Sequence, residues 1–367
     1  MTKQTVGLLI DSLGTGGAQR QIVNLAIGLK NKGFRPLIII YSETNYFKDL
    51  LAREGIAVSY LKRRHFLDVL FLFNLIRLLR RERIAHLITF LFMPSGYALL
   101  SKVFLPRLIV IVSERSFEAK TNRRDKIFPR RLYFLANFIT ANSKSQTISL
   151  ENMFPHYHGK IKHISNGVYD QTYIYNPSLK EFVISSIGRV SELKGTKMLI
   201  SALAILRDSF PHQDFKVYWI GANFDSTEQD LGYYNECCQL IEDSGLTEIW
   251  QWTGQITNVR EVLAKTNILV HVSAGEGFPN AICEAMSHGI PVVASDVMDH
   301  PFIVKHKLNG YLVSSHDTFG LVEALSDFIG LSIDQQFKMS QRAYETALES
   351  FSMDNMTNAY IKLLQNG

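Results

Sequence analysis

The chain has 367 residues, 46% of them hydrophobic and 20% charged, with a formal net charge of +5. That length exceeds what one ordinary core serves, and the composition excludes a disordered, collagenous or disulfide-framed protein. No uncharged apolar run approaches the roughly 20 residues of a membrane-spanning helix, and the run after Lys3 is too short for a signal peptide, so a cytoplasmic location is expected. Cys237, Cys238 and Cys283 make neither a disulfide framework nor a spaced zinc site and are read as reduced. Charge is unevenly divided. Residues 1–175 carry 26 Lys and Arg against 11 Asp and Glu, a balance of +15; of the totals of 39 and 34, the remainder keeps 13 and 23, a balance of −10. A basic half suggests an anionic partner, such as lipid headgroups, a phosphorylated substrate or nucleic acid, unless its cations only solvate helix faces.

In chain order, Thr5 to Ile10 reads as a strand, followed by the glycine turn of DSLGTGGAQR and a helix with Ile22, Leu25, Ala26 and Leu29 at helical spacing. Gln19 stands where a dinucleotide fingerprint would need Gly or Ala. Further strands are expected at Pro36 to Tyr41, Val58 to Leu61, His86 to Phe92, Leu108 to Val112, Phe138 to Ala141 and Lys162 to Ile164. The helical stretch FLDVLFLFNLIRLLRRERI has a large apolar face and four arginines toward its end. It fits first a core-facing helix whose arginines complement the dipole, with a helix lying on a membrane surface as the alternative. Met93-Pro94-Ser95-Gly96 reads as a loop, and SERSFEAK leads into the basic tract TNRRDKIFPRR.

The alternation starts again after NGVYD, with strands at Phe182 to Ile187, Phe215 to Ile220, Ile249 to Trp252, Asn267 to Val272, Ile290 to Ala294 and Gly310 to Val313. Helices are expected at KMLISALAIL, around Leu231 to Ser244 and from about Pro279. Alternating strands and helices predict α/β architecture: two doubly wound parallel sheets in two lobes, at 1–172 and 178–350, facing across a cleft. The helix at 355–367 is expected to pack back on the first lobe.

GRVSELKG, then EGFPNAICE, AxxxGxPVVAS and GYLV, together with GTGGAQR and ISNGV, resemble the retaining GT-B glycosyltransferases of family 4 over nearly the whole chain. The resemblance implies a Rossmann-like acceptor lobe followed by a nucleotide-sugar lobe. In the second lobe, Gly188, Arg189 and Lys194 stand where the family grips the donor diphosphate, Arg offering a planar fork and Lys a point charge. Glu276 matches the carboxylate that accepts hydrogen bonds from the transferred sugar, and Glu284 the one on the ribose. Glu276, Arg189 and Lys194 are thereby the implied catalytic set. Gly277, Phe278, Pro279 and Asn280 shape the loop under sugar and diphosphate, and Gly254 to Ile256 are candidates for the nucleotide base. In the first lobe, Gly16 and Gly17 allow close backbone approach to the donor.

Many family members carry a histidine in the loop after the fifth strand, where this chain has Ser113-Glu114-Arg115. Arg115 is then a candidate contact to sugar or acceptor phosphate, with Glu114 orienting it, while His163 and His271 read as structural. The resemblance also implies no metal or other cofactor. It further implies a UDP-linked hexose or N-acetylhexosamine donor, a lipid-linked glycan acceptor at the inner face of a membrane, and a place in surface polysaccharide or O-antigen assembly. A non-catalytic sugar-nucleotide sensor, or an NAD-dependent oxidoreductase using Glu43, are the alternatives.

Overall fold

A computed structural model describes residues 3–115, 130–168, 171–178, 181–223, 228–256 and 258–366. Apart from Arg130 and Arg131, the basic tract at 121–131 lies outside these residues, as do positions 116–120 before it and the last two residues of NGVYD. Two compact units divide the chain: Met1–Tyr169 with Ser352–Gly367, and Asp170–Phe351.

The first unit holds a seven-stranded parallel sheet, β1 (Thr5–Leu9), β2 (Arg35–Ile40), β3 (Ala57–Tyr60), β4 (His86–Phe90), β5 (Ile109–Glu114), β6 (Phe138–Ala141) and β7 (Ile161–His163), in the order β3-β2-β1-β4-β5-β6-β7. Its central strands are continuous apolar runs because helices cover both faces. The helices are α1 (Gly17–Asn31), α2 (Lys48–Arg53), α3 (Val69–Arg81), α4 (Phe92–Phe104) and α5 (Lys144–Met153). Strand order reverses between β1 and β4, so the turn holding Gly14 to Gly17 sits at the point where ligands settle in open α/β sheets.

One expectation fails here. Met93-Pro94-Ser95-Gly96 is the opening of α4, not a loop. Pro94 lies in the first turn, whose N–H groups have no intrahelical partner, so the missing donor costs nothing. Leu91 before it takes φ 72°, ψ 163°, a strained conformation for a non-glycine residue, and Ser95 donates to its carbonyl at 2.6 Å.

The helix Met353–Asn366 completes this unit by packing on α1. Its Tyr360 is fully buried, with the hydroxyl 2.7 Å from Arg115 Nη2, 3.1 Å from Ser113 Oγ and 3.3 Å from Thr140 Oγ1. Met356, Leu363 and Leu364 join the apolar cluster under β1 and β2.

The second unit holds six parallel strands, β8 (Phe182–Ile187), β9 (Phe215–Ile220), β10 (Trp250–Gly254), β11 (Ile268–His271), β12 (Val292–Ser295) and β13 (Gly310–Val313), in the order β10-β9-β8-β11-β12-β13. Around them lie α6 (Thr196–Ser209), α7 (Glu228–Asp243), α8 (Val259–Leu263), α9 (Asn280–Ser287), α10 (His300–Ile303), α11 (Thr318–Ile329) and α12 (Ile333–Phe351). Here the order reverses between β8 and β11. Trp219, Trp250 and Trp252 cluster on β9 and β10, with ring centroids 5.1 to 6.2 Å apart. Among the described residues no helix is long and apolar enough to cross a membrane.

Candidate functional site

The loops after β8 and β11 meet at the reversal point of the second sheet. The first is short: Gly188, Arg189, Val190 and Ser191 lead into a single 3-10 turn, Glu192–Lys194, and then Gly195. Gly195 takes φ +70°, and a Cβ there would sit 2.5 Å from the carbonyl oxygen of Val272 at the end of β11. Only glycine lets the two loops approach so closely. Ala274 N–H donates to Leu193 O at 2.8 Å, and Ser273 Oγ donates to the same oxygen at 3.0 Å. Ser273 is held in turn by Ser295 Oγ, which donates to its carbonyl. The loops therefore act as one rigid piece.

That welding brings Lys194 and Glu276 together as an ion pair, with side chains 21% and 15% exposed. His271, 3% exposed at the end of β11, places Nε2 at 2.9 Å from the same Glu276 oxygen. Burial alone would raise the Glu276 carboxyl, but the hydrogen bond and charge of His271 and the charge of Lys194 override it and hold the group at about 2. Glu276 is thus a fixed carboxylate. His271, which reads as structural in the sequence, is its positioning partner, because the turn after β11 curls back over the strand end.

Behind this pair lies a second histidine. The His300 ring is fully buried at 5.5 Å from that of His271, with Nδ1 2.7 Å from the Ser295 carbonyl. The carbonyl can only accept, so the proton sits on Nδ1, and Nε2 has no partner among the described residues. Burial first, then the neighbouring His271, push this imidazole down to about 4. An unfolded histidine titrates near 6.5, so between these values the unfolded chain binds the extra proton. The stability held by neutral His300 is complete above pH 6.5 and is lost as pH falls toward 4, at up to about 1.4 kcal/mol per pH unit. The Glu276 contribution disappears later, from about 4.5 down to about 2. We expect protection factors of the β11 and β12 amides to drop about 15-fold between pH 6.5 and 5, roughly 1.6 kcal/mol, and a His300→Gln variant to show a flat profile. An unchanged slope in that variant would remove His300 as the cause.

The remaining second-unit candidates surround this core. Arg189 is exposed beside the half-buried Gly188 at the end of β8. Gly221 ends β9, with its N–H on Gly254 O at 3.0 Å. Its φ of +145° and the adjacent Gly188 carbonyl leave no room for a Cβ. Gly254 and Ile256, both half-buried, continue the row at the end of β10. Gly277 is half-buried in the turn; Phe278 and Pro279 are buried, Phe278 lying 5.9 Å from the ring of Phe351. Asn280 opens α9, and Glu284 is partly exposed on it beside the buried Cys283, whose thiol burial and the Glu284 charge push up. Both α6 and α9 start at this point, and neither Gly195 nor Pro279 supplies a side-chain cap. Two positive helix ends and two cationic residues make the surface suited to a diphosphate.

In the first unit, Gly16 is the N-cap of α1 and Gly17 its first residue. Glu114 and Arg115 do not pair as expected. The Glu114 carboxylate takes Arg130 at 2.8 and 3.0 Å, the Tyr133 hydroxyl and Gln146. Arg115 is buried, stacked 3.9 Å over the ring of Phe90, and hydrogen-bonded to Asn166 and Tyr360. Side chains on successive positions of an extended strand point to opposite faces, which separates the two.

Each unit matches one family model: "Glycosyltransferase Family 4" over residues 15–171 and "Glycosyl transferases group 1" over 181–330. A lipopolysaccharide core biosynthesis glycosyltransferase of Rhizobium meliloti, LpsE, is 27% identical over 50% of this chain and 49% of its own length. The chain thus spans about half the length of that relative, and 46% of an N-acetyl-alpha-D-glucosaminyl L-malate synthase of Bacillus anthracis. A Campylobacter jejuni enzyme named as an N-acetylgalactosamine-N,N'-diacetylbacillosaminyl-diphospho-undecaprenol 4-alpha-N-acetylgalactosaminyltransferase is 25% identical over 97% of this chain and 93% of its own. Among solved structures, HepE of Anabaena in complex with UDP aligns with a TM-score of 0.85 at 20% identity, covering 99% of this chain and 100% of that one. The lipopolysaccharide outer core galactosyltransferase WaaB aligns at 0.75 and 18%, over 99% and 100%. With a parallel α/β sheet in each unit and a family model on each, the chain belongs to the GT-B glycosyltransferases of family 4, the group 1 glycosyl transferases.

Proposed function

We propose that this protein transfers a hexose or N-acetylhexosamine from a UDP-sugar to a lipid-linked glycan, with retention of anomeric configuration, in the assembly of a lipopolysaccharide or other surface polysaccharide. The observation that carries this reading is the Lys194–Glu276–His271 constellation at the reversal point of the second sheet, flanked by the starts of α6 and α9. A diphosphate held by Lys194, Arg189 and the helix ends would place its sugar over Glu276, whose carboxylate can accept hydroxyl protons. Glu284, on the next helix, is in the family's place for the ribose. As the bond from the anomeric carbon to the diphosphate breaks, charge grows on the leaving oxygen, where the cations stabilise it. The acceptor hydroxyl attacks from the same face and gives its proton to that leaving oxygen. No protein base is needed for this return, nor a metal ion, since Lys194 and Arg189 supply the countercharge.

HepE, with solved complexes of UDP, of UDP and glucose and of UDP-glucose, supports a uridine donor. The undecaprenol-linked substrate in the name of the Campylobacter jejuni relative supports a lipid-linked acceptor and, with it, a peripheral place at the inner face of a membrane. In this reading Gly16 and Gly17 keep the donor role that the family resemblance implies, and Arg115 acts from within its hydrogen-bond network.

A thermal-shift panel tests the donor. UDP and one UDP-sugar should raise the melting temperature, because a ligand at about 100 times its Kd adds roughly 2.7 kcal/mol, while ADP and GDP should do little. Absence of any shift with uridine ligands would end the reading. Release of UDP with membrane extract as acceptor, unaffected by a chelator, distinguishes an enzyme from a silent sensor.

A further inference from the structure

We propose that α3 and the loop before it form a docking surface for an anionic phospholipid bilayer. One face of α3 serves the core through Phe71, Leu75, Ile76, Leu78 and Leu79. The apolar sequence does not stop there. Phe66, Leu67, Val69, Leu70 and Phe73 are 41%, 54%, 77%, 51% and 63% exposed, five large apolar side chains within eight positions. Leaving such a set in water is unfavourable, and a cluster of this kind marks an interaction surface.

The backbone under these side chains is pinned. Asp68 caps α3, accepting from Phe71 N–H at 3.0 Å, and its other oxygen takes Arg64 N–H at 2.8 Å. Tyr97 OH accepts from Asp68 N–H and donates to the Phe66 carbonyl, both at 2.8 Å. Arg63 lies 4.7 Å over the ring of Tyr41 and donates to His65 O. The loop is therefore held with Phe66 and Leu67 outward.

Cations flank the apolar set on both sides: Lys62 and Arg64 before it, and Arg77, Arg80 and Arg81 along the exposed stripe after it. Asp68, buried in its cap, is the single acidic residue from 62 to 81; Glu82 follows and pairs with Arg81 and with Arg35, both at 3.1 Å. Past Arg80 the surface continues into a groove of about 450 Å³ walled by Leu79, Ile84, Phe104 and Leu108 and edged by Arg83 and Arg107. An apolar strip between cations is what an anionic bilayer complements: rings and leucines enter the acyl boundary while the arginines stay among the headgroups. A second copy of the chain would set cation against cation. The inference deepens the lipid-linked acceptor reading, but vesicle binding is measured without donor or acceptor, so either can fail alone.

Flotation of the full chain with phosphatidylcholine vesicles, with and without phosphatidylglycerol, tests it. Partition should favour the anionic vesicles and weaken as salt rises. The variant Leu67→Ser/Leu70→Ser/Phe73→Ser changes only exposed positions and should melt like the parent while losing at least about tenfold in partition. Arg77→Gln/Arg80→Gln/Arg81→Gln should erase the preference for phosphatidylglycerol. Phe319→Ser, 76% exposed in the other unit, should change nothing. Equal partition to both vesicle types, or an unaltered triple serine variant, overturns the proposal. So does a serine variant whose only change is from dimer to monomer, which would make the surface a contact between copies.

Discussion

Replacing Glu276 with glutamine is expected to lower sugar transfer by about 10³-fold while changing UDP affinity only a few-fold. The substitution keeps the size of the side chain and its place between Lys194 and His271, but removes the charge that both hold in place. If Glu276 holds the sugar and not the nucleotide, the loss appears in kcat measured with saturating donor. Isothermal titration with UDP, run beside the transfer assay, separates the two. A parallel collapse of UDP binding would mean that the carboxylate serves the loop, and the sugar role would fall.

Deleting residues 352–367 should unfold the first unit and leave the second folded. Met356, Tyr360, Leu363 and Leu364 are at most 9% exposed, and burying each contributes roughly 1.5 to 3 kcal/mol, a sum comparable to the about 5 to 15 kcal/mol that holds a whole domain. Loss of Tyr360 also strips Arg115 of its hydroxyl partner, leaving a buried guanidinium on Asn166 and the face of Phe90. Limited proteolysis with mass spectrometry reads the outcome. A resistant fragment covering about Gln171 to Phe351, with the first unit cut to peptides, is expected; equal resistance of both units would show that the helix is dispensable.

Much of this architecture is legible because parallel strands buried on both faces are apolar without interruption, as at LIII in β2 and ILVH in β11. The start of α4 is not legible, since Pro94 and Gly96 carry the composition of a loop and only the chain's path over β4 makes them helical. Lys194 and Glu276 stand out through their motifs, whereas His271 does not. Five positions separate it from Glu276, a spacing that says nothing until the turn folds back. The same limit hides His300, which reaches the site only because β12 lies beside β11. Glu114 and Arg115 show the opposite error: neighbours in sequence, they are sent to different partners by the pleat of β5.

All three tryptophans of the chain lie in the second unit, packed on one another, and the indole N–H of Trp219 donates to the Gly188 carbonyl at 2.8 Å, one residue from Arg189. The protein therefore carries its own optical label, confined to the half that would receive the nucleotide. Emission excited at the red edge of the indole band reports that half alone, because the first unit contains tyrosines but no indole. Quenching on addition of UDP would assign the nucleotide to the second unit without a crystal. A fluorescence transition that persists while half the helical ellipticity is already lost would show that the two units melt separately.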